Sequence, residues 1–210
     1  MLTVICVLKS GGIYDASWVE KLKNGVSRNL HRPHKFVCLS DVEVPCERIP
    51  LIHDWPGWWS KIELFRPGVI TTDTLYLDLD TVVTGDIGDF AGVECDFAML
   101  RNFNNPDMVG SGVMWFGKVP HKVYEKFARQ PDAYIAHYER NRNGTYVGDQ
   151  AFISDTLGAD IERLDGYFDG IRSYKVHCRK FLPEDARIVC FHGNPRPTEV
   201  ATPWMQQHWS

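Results

Sequence analysis

Apolar and polar positions along the chain fall into short blocks whose spacing switches between strand-like and helix-like. Thr3 to Leu8 is an apolar run of strand length that stops at Ser10-Gly11-Gly12, and it predicts a buried first strand. Ser17-x-x-Glu20 has the form of a capping box, and Trp18, Leu22 and Val26 recur at helical spacing, so a helix is predicted to open at Ser17. Lys35 to Ser40 and Arg48 to Ile52 read as short strands. Trp58 to Phe65 is helical in pattern and largely apolar, and it ends before Pro67. Three strands follow, at Leu75 to Thr81, Cys95 to Leu100 and Ser111 to Phe116. A helix from Pro120 to about Gln130 turns Val123, Tyr124 and Phe127 inward, and a polar connection follows it. Gly148-Asp149-Gln150 opens a further helix through Leu157, and Arg187 to Phe191 is a late strand leading into His192-Gly193-Asn194-Pro195-Arg196-Pro197. This alternation predicts an α/β fold. No repeat, low-complexity tract or linker divides the 210 residues, so a single domain is expected.

The strand at Leu75 to Thr81 carries the most chemistry. Alternation puts Tyr76, Asp78 and Asp80 on one face and Leu75, Leu77 and Leu79 on the other. Two like charges side by side are costly to bury without a cation between them, and a hard divalent metal with oxygen ligands answers that cost. Asp78 and Asp80 are therefore candidate metal ligands. The alternative is a strand running into a solvated acidic turn near Thr84-Gly85-Asp86.

Composition narrows the partners. A hydrophobic content of 44%, a charged content of 24% and a net charge of −4 suit a soluble domain and disfavour nucleic acid. The six cysteines are scattered without a Cys-x-x-Cys pair and read as reduced thiols. No apolar run reaches the ~20 residues of a membrane span, and Met1 to Lys9 has no basic leader, so a cytoplasmic location is expected. The sequon Asn143-Gly144-Thr145 is then of no consequence.

Ligands of open α/β sheets bind beyond the carboxyl ends of the strands. Ser10 to Tyr14, Asp78 to Thr81 and His192 to Arg196 all fall at such ends, and together they would equip one crevice to hold a diphosphate. His192 is a third candidate ligand or else a surface histidine, and Arg196 offers fixed charge to phosphate. Lys61 is the one cation of its aromatic helix; it reaches a ligand or snorkels to solvent. Tyr14 stacks on a base or merely packs. Asp149 and Gln150 begin a helix, as reacting groups or as a cap. A softer zinc set at His177-Cys178 and Cys190-x-His192 lacks the close paired spacing of structural zinc sites, and manganese or magnesium on carboxylates fits better.

Assembled in order, these residues resemble the glycosyltransferases of the GT-A fold, and most closely the glycogenin-like family 8 and its bacterial lipopolysaccharide relatives. Tyr14 matches the tyrosine near the nucleotide base, and Ser60-Lys61-Ile62 matches a Thr-Lys-Leu-type segment. Tyr76-Leu77-Asp78-Leu79-Asp80-Thr81 matches the Asp-x-Asp signature. Gly110-Ser111-Gly112-Val113-Met114 matches an Asn-Ser-Gly-Val-Met segment near the donor sugar, and Asp149-Gln150 an Asp-Gln pair beside the reacting centre. Gly193-Asn194-Pro195-Arg196-Pro197 matches the late His-x-x-Gly-x-x-Lys-Pro-Trp motif, with arginine for lysine. The chain departs in having Cys190 where the family has its histidine, Ala151 for a third aspartate and Thr198 for the last tryptophan.

The resemblance implies a GT-A domain with a mixed central sheet. Residues 1–100 would form the nucleotide half and residues 101–210 the acceptor side. It implies transfer of a sugar from a nucleotide-diphosphate donor, UDP-linked, to a hydroxyl of a glycan or other acceptor, with retention. Manganese or magnesium would lie on Asp78, Asp80 and His192. Tyr14, Lys61, Ser111, Gly112, Gly193 and Arg196 would line the donor, with Asp149 and Gln150 at the reacting face. An inverting enzyme would need a carboxylate base such as Asp149 or Asp169. Two other readings stay open: a sugar nucleotidyltransferase, for which Ser10-Gly11-Gly12 is short and lacks a following arginine, and a degenerate glycan-binding protein of the same fold. Arg101 to Val109 and His137 to Tyr146 are the variable segments that would shape the acceptor side.

Overall fold

The computed structural model describes residues 1–140 and 147–210, so the sequon at Asn143 lies outside the described residues. The first half runs β1 (Leu2–Leu8), α1 (Ala16–Asn29), β2 (His34–Ser40), β3 (Glu47–Pro50), a 3-10 helix (Gly57–Phe65), β4 (Thr74–Leu77), β5 (Thr81–Val83) and β6 (Phe97–Arg101). The second runs β7 (Val109–Phe116), α2 (Lys122–Arg129), α3 (Pro131–Arg140), α4 (Gly148–Leu157), β8 (Glu162–Arg163), β9 (Ile171–Ser173), β10 (Ile188–Cys190) and α5 (Pro203–His208). Seven strands form one mixed sheet in the order β3-β2-β1-β4-β7-β6-β8. Within it β7 runs against both neighbours, and the other pairings are parallel. A second sheet, β5-β10-β9, has three strands.

Alternation along the strands divides the core between the two faces of the large sheet. Leu2, Val4, Cys6 and Leu8 of β1 join α1 and the small sheet on one face. Ile5 joins the 3-10 helix, α2 and α4 on the other. In β4 and beyond, Leu75, Leu77 and Leu79 lie in the first core and Tyr76 in the second, as the pattern predicts. Each fully buried apolar side chain contributes about 1.5–3 kcal/mol, so a one-residue slip in register would exchange the faces and forfeit most of it.

Several expectations need correction. The strand stops at Leu77, and Asp78 to Thr81 form a turn closed by the Thr81 N–H on the Asp78 carbonyl at 3.0 Å. Helix α1 is capped by Asp15, whose carboxylate accepts from the Ser17 N–H at 2.9 Å, so Ser17 lies inside the helix and is not its cap. The apolar Trp58 to Phe65 segment winds as a 3-10 helix. Its Trp58 is not buried but 49% exposed. The polar connection expected after α2 is largely the helix α3, begun by Pro131 and anchored by the buried Tyr138. None of the six cysteines is paired in a disulfide.

Candidate active site

The carboxyl ends of β1 and β4 open onto a cleft of about 990 Å³. Lys9 and Ser10 follow β1, Asp78 and Asp80 follow β4, and His192 and Gly193 follow β10 from the small sheet. The residues assigned from the sequence to the metal, the donor and the reacting face all line this cleft: Asp78, Asp80 and His192, then Tyr14, Lys61, Ser111, Gly112, Gly193 and Arg196, then Asp149 and Gln150. Asp169, the alternative base, is exposed and does not line it.

Two cations divide the carboxylates between them. Lys61 sits 2.9 Å from Asp78 Oδ1 and 3.2 Å from Asp149 Oδ2, and its amine also donates to Ser111 Oγ at 3.1 Å. The Asp149 contact is a charge contact without hydrogen-bond alignment, because Oδ2 is buried and has no hydrogen-bond partner. Burial alone would drive Lys61 to give up its proton. Asp149 and Asp78 outweigh it and hold the amine above its ordinary range. Arg196 donates to Asp80 Oδ2 at 2.5 Å and to the Tyr14 hydroxyl, and that hydroxyl donates to Asp80 Oδ2 at 2.9 Å. Tyr76 reaches along β4 to donate to Asp78 Oδ1. Burial first, and then the charge of Asp78, raise the Asp80 carboxyl to about 6 against the pull of Tyr14 and Arg196. The Tyr14 hydroxyl is pushed up by burial and by Asp80, so it remains a donor.

The donor set fits a hard cation. Asp78 Oδ2 and Asp80 Oδ1 make no hydrogen bond among the described residues, which leaves one oxygen on each of two neighbouring carboxylates. Manganese and magnesium take such oxygens and commonly complete their shell with phosphate and water. No three His, Cys, Asp or Glu side chains among the described residues are gathered as a closed ligand set. His192 lies on the cleft, yet its Nε2 is 2.6 Å from Ser173 Oγ. Burial and then the charge of Lys175 lower its pKa, favouring the neutral ring. His177 Nδ1 accepts from the Ser173 N–H at 3.0 Å, and burial pushes the Cys190 thiol up, so the zinc set does not assemble.

Some cleft residues escaped the sequence reading. Lys9 closes β1 and bonds Asp41 at 2.6 Å and Asp54 at 3.0 Å. Trp58 covers Gly148, where a Cβ would stand 2.9 Å from the indole Nε1. Phe103 stacks on His192 at 5.8 Å. The only signal for Lys9 was its place at a strand end before the glycines. Trp58 and Phe103 carried none beyond being aromatic.

Comparison with solved structures identifies the architecture. The glycosyltransferase GlyE of Streptococcus pneumoniae TIGR4 superimposes with a TM-score of 0.63 at 18% identity, over 94% of this chain and 56% of that one. The galactosyltransferase LgtC, in complex with donor and acceptor sugar analogues, matches with a TM-score of 0.61 at 9% identity, over 93% of this chain and 88% of that one. The bifunctional glycosyltransferase WbbM matches at 0.60 and 13%, over 98% of this chain and 50% of that one. The chain thus spans about half the length of GlyE and of WbbM. At these identities the likeness is one of fold, and the fold is that of GT-A glycosyltransferases. No protein-family profile and no curated protein matches the chain in sequence.

Proposed function

We propose that the chain is a metal-dependent glycosyltransferase of the glycogenin-like family 8 branch. It moves a sugar from a UDP-linked donor to a hydroxyl of a glycan or other acceptor, with retention of anomeric configuration. One observation carries the reading: the neighbouring carboxylates Asp78 and Asp80 open onto the same cleft as Lys61, Arg196 and the buried Asp149. Cleavage of the anomeric bond leaves negative charge on a departing diphosphate, and this cleft has the groups to receive it.

A manganese or magnesium ion held by Asp78 and Asp80 would supply Lewis-acid neutralisation of that charge. Lys61 and Arg196 add fixed positive charge on the same side, each exchanging part of its carboxylate contact for phosphate oxygen. Gly112 leaves the floor open beside Asp78, since a Cβ there would stand 3.4 Å from Oδ2. Ser111 steadies Lys61, and Gly193, at a φ of +77°, lets backbone approach the donor. The Tyr14 ring is the candidate contact for the base. Asp149 and Gln150 line the reacting face of the sugar. On this reading residues 1–100 form the donor half and residues 101–210 the acceptor half.

Calorimetric titration of UDP, GDP and ADP, with manganese and then with chelator, tests the reading. UDP should bind in manganese and release in chelator. No binding by any of the three nucleotides to folded protein would leave only the likeness of fold.

A further inference from the structure

The two nitrogens of His192 have different surroundings. Ser173, on β9, is paired with Cys190 of β10 and is 0% exposed. Its Oγ accepts a hydrogen bond from the Val176 N–H at 3.2 Å and lies 2.6 Å from His192 Nε2. Among the described residues the Ser173 hydroxyl has no other partner. A buried hydroxyl hydrogen without an acceptor is costly, so it goes to the one acceptor within reach. Nε2 is then the acceptor, its lone pair is engaged, and the ring hydrogen sits on Nδ1. Nδ1 has no partner among the described residues, and the ring borders the cleft. Phe103 stacks on that ring at 5.8 Å with 20° between the planes, and His177 meets Phe103 edge-on, so the ring is held from a second side.

We propose that His192 serves the cleft as a neutral N–H donor through Nδ1, directed at the diphosphate of the donor, with Ser173 as the positioning residue that fixes this tautomer. The cation is then held by Asp78 and Asp80 without His192. The proposal rests on the nucleotide-sugar reading above. A metal ion needs a ring lone pair, and the only one the neutral ring has faces Ser173. The neighbourhood suits an anion: Lys175 Nζ lies 3.3 Å from where a Cβ of Gly193 would stand, which brings a cation alongside the backbone that follows the ring.

Nitrogen-15 NMR of the metal-free protein reads the tautomer without nucleotide or turnover. The hydrogen is expected on Nδ1 in the wild type, with Ser173→Ala shifting it towards Nε2. Manganese titration followed by electron paramagnetic resonance reads the ligand set. His192→Ala is expected to leave manganese affinity of the nucleotide-free protein within about twofold while weakening UDP binding in manganese about tenfold, the worth of a hydrogen bond to a charged group. His192→Asn, whose amide nitrogen stands near the Nδ1 position, should keep most of the UDP affinity, and His192→Gln, which mimics Nε2, should not. A hydrogen on Nε2 in the wild type overturns the proposal, as does a tenfold loss of manganese affinity in His192→Ala. If no nucleotide binds, the diphosphate role falls with the donor reading, and the tautomer still decides what Ser173 does.

Discussion

Asp80→Asn is expected to stabilise the cation-free protein above pH 6 and to leave it unchanged below pH 4. In the fold, burial and the neighbouring Asp78 raise the Asp80 carboxyl from 3.8 to about 6. A group with a raised folded value binds its proton more tightly in the fold, so its contribution is whole below pH 3.8 and is lost as the pH rises through about 6. Roughly two units at about 1.4 kcal/mol each set an upper limit of about 3 kcal/mol on what removing the charge returns. That net rise already contains the opposing pull of Arg196 and Tyr14, so asparagine, neutral like the protonated carboxyl, recovers up to that limit. For a chain of this length that limit corresponds to a rise in Tm of about 6–12 °C. Calorimetric melts of both proteins at pH 4 and pH 7.5, in chelator, measure it. Manganese should then stabilise the wild type and not the variant. A variant melting no higher than the wild type at pH 7.5 would refute the claim that the carboxylate pair is strained when no cation is bound.

Three further outcomes follow from single contacts. Lys61→Met leaves Asp78 and Asp149 without their cation and should cost about 3–5 kcal/mol in urea unfolding, part of which Asp149→Asn should restore. Gly148→Ala forces a Cβ to 2.9 Å from Trp58 Nε1 at a φ of +75° and should cost about 1–3 kcal/mol, with a shift in tryptophan fluorescence as the indole moves. Asp41, which burial would raise, is instead lowered to about 2 by Lys9 and Ser10, so its stabilisation is present above pH 3.8 and lost as the pH falls towards 2. The gap in melting temperature between the wild type and Asp41→Asn should accordingly close over that interval.

What could be read ahead of the structure depended on period. Alternation through Leu75 to Leu79 assigned the three leucines and Tyr76 to their faces correctly, and it did so although the regular strand ends at Leu77. The late strand predicted at Arg187 to Phe191 is β10, but its partners β5 and β9 have three residues each, too few to carry a pattern, so the small sheet they form was not legible. Helix α3 was hidden by its polar surface, since among its described side chains Tyr138 is the one buried deeply. The capping box at Ser17 was a sound local signal beaten by a nearer one, because the Asp15 carboxylate reaches the same amide from outside the helix. For the site, strand ends were legible and long-range partners were not. His192 reached the cleft as expected, but Ser173, which engages its ring, is 19 residues away and arrives only through the β9–β10 pairing.

On the proposed reading, the charges on the cleft bear on how a nucleotide would enter it. Among the described residues four carboxylates line it, Asp54, Asp78, Asp80 and Asp149, against the three cations Lys9, Lys61 and Arg196. The balance is negative, and the two cations best placed for phosphate are already committed, Lys61 to Asp78 and Asp149 and Arg196 to Asp80. A diphosphate arriving alone meets net like charge in a partly buried site, where repulsion is screened less than at the surface. A divalent cation held by Asp78 and Asp80 would reverse the sign of that balance and leave Lys61 and Arg196 free to turn towards the incoming oxygens. Uridine, which carries no phosphate, should therefore bind equally well in manganese and in chelator, whereas UDP should lose most of its affinity in chelator. Calorimetry on the pair separates the two contributions. UDP affinity that survives chelation would mean that Lys61 and Arg196 leave their carboxylates for phosphate unaided, and the case for a resident cation would fail.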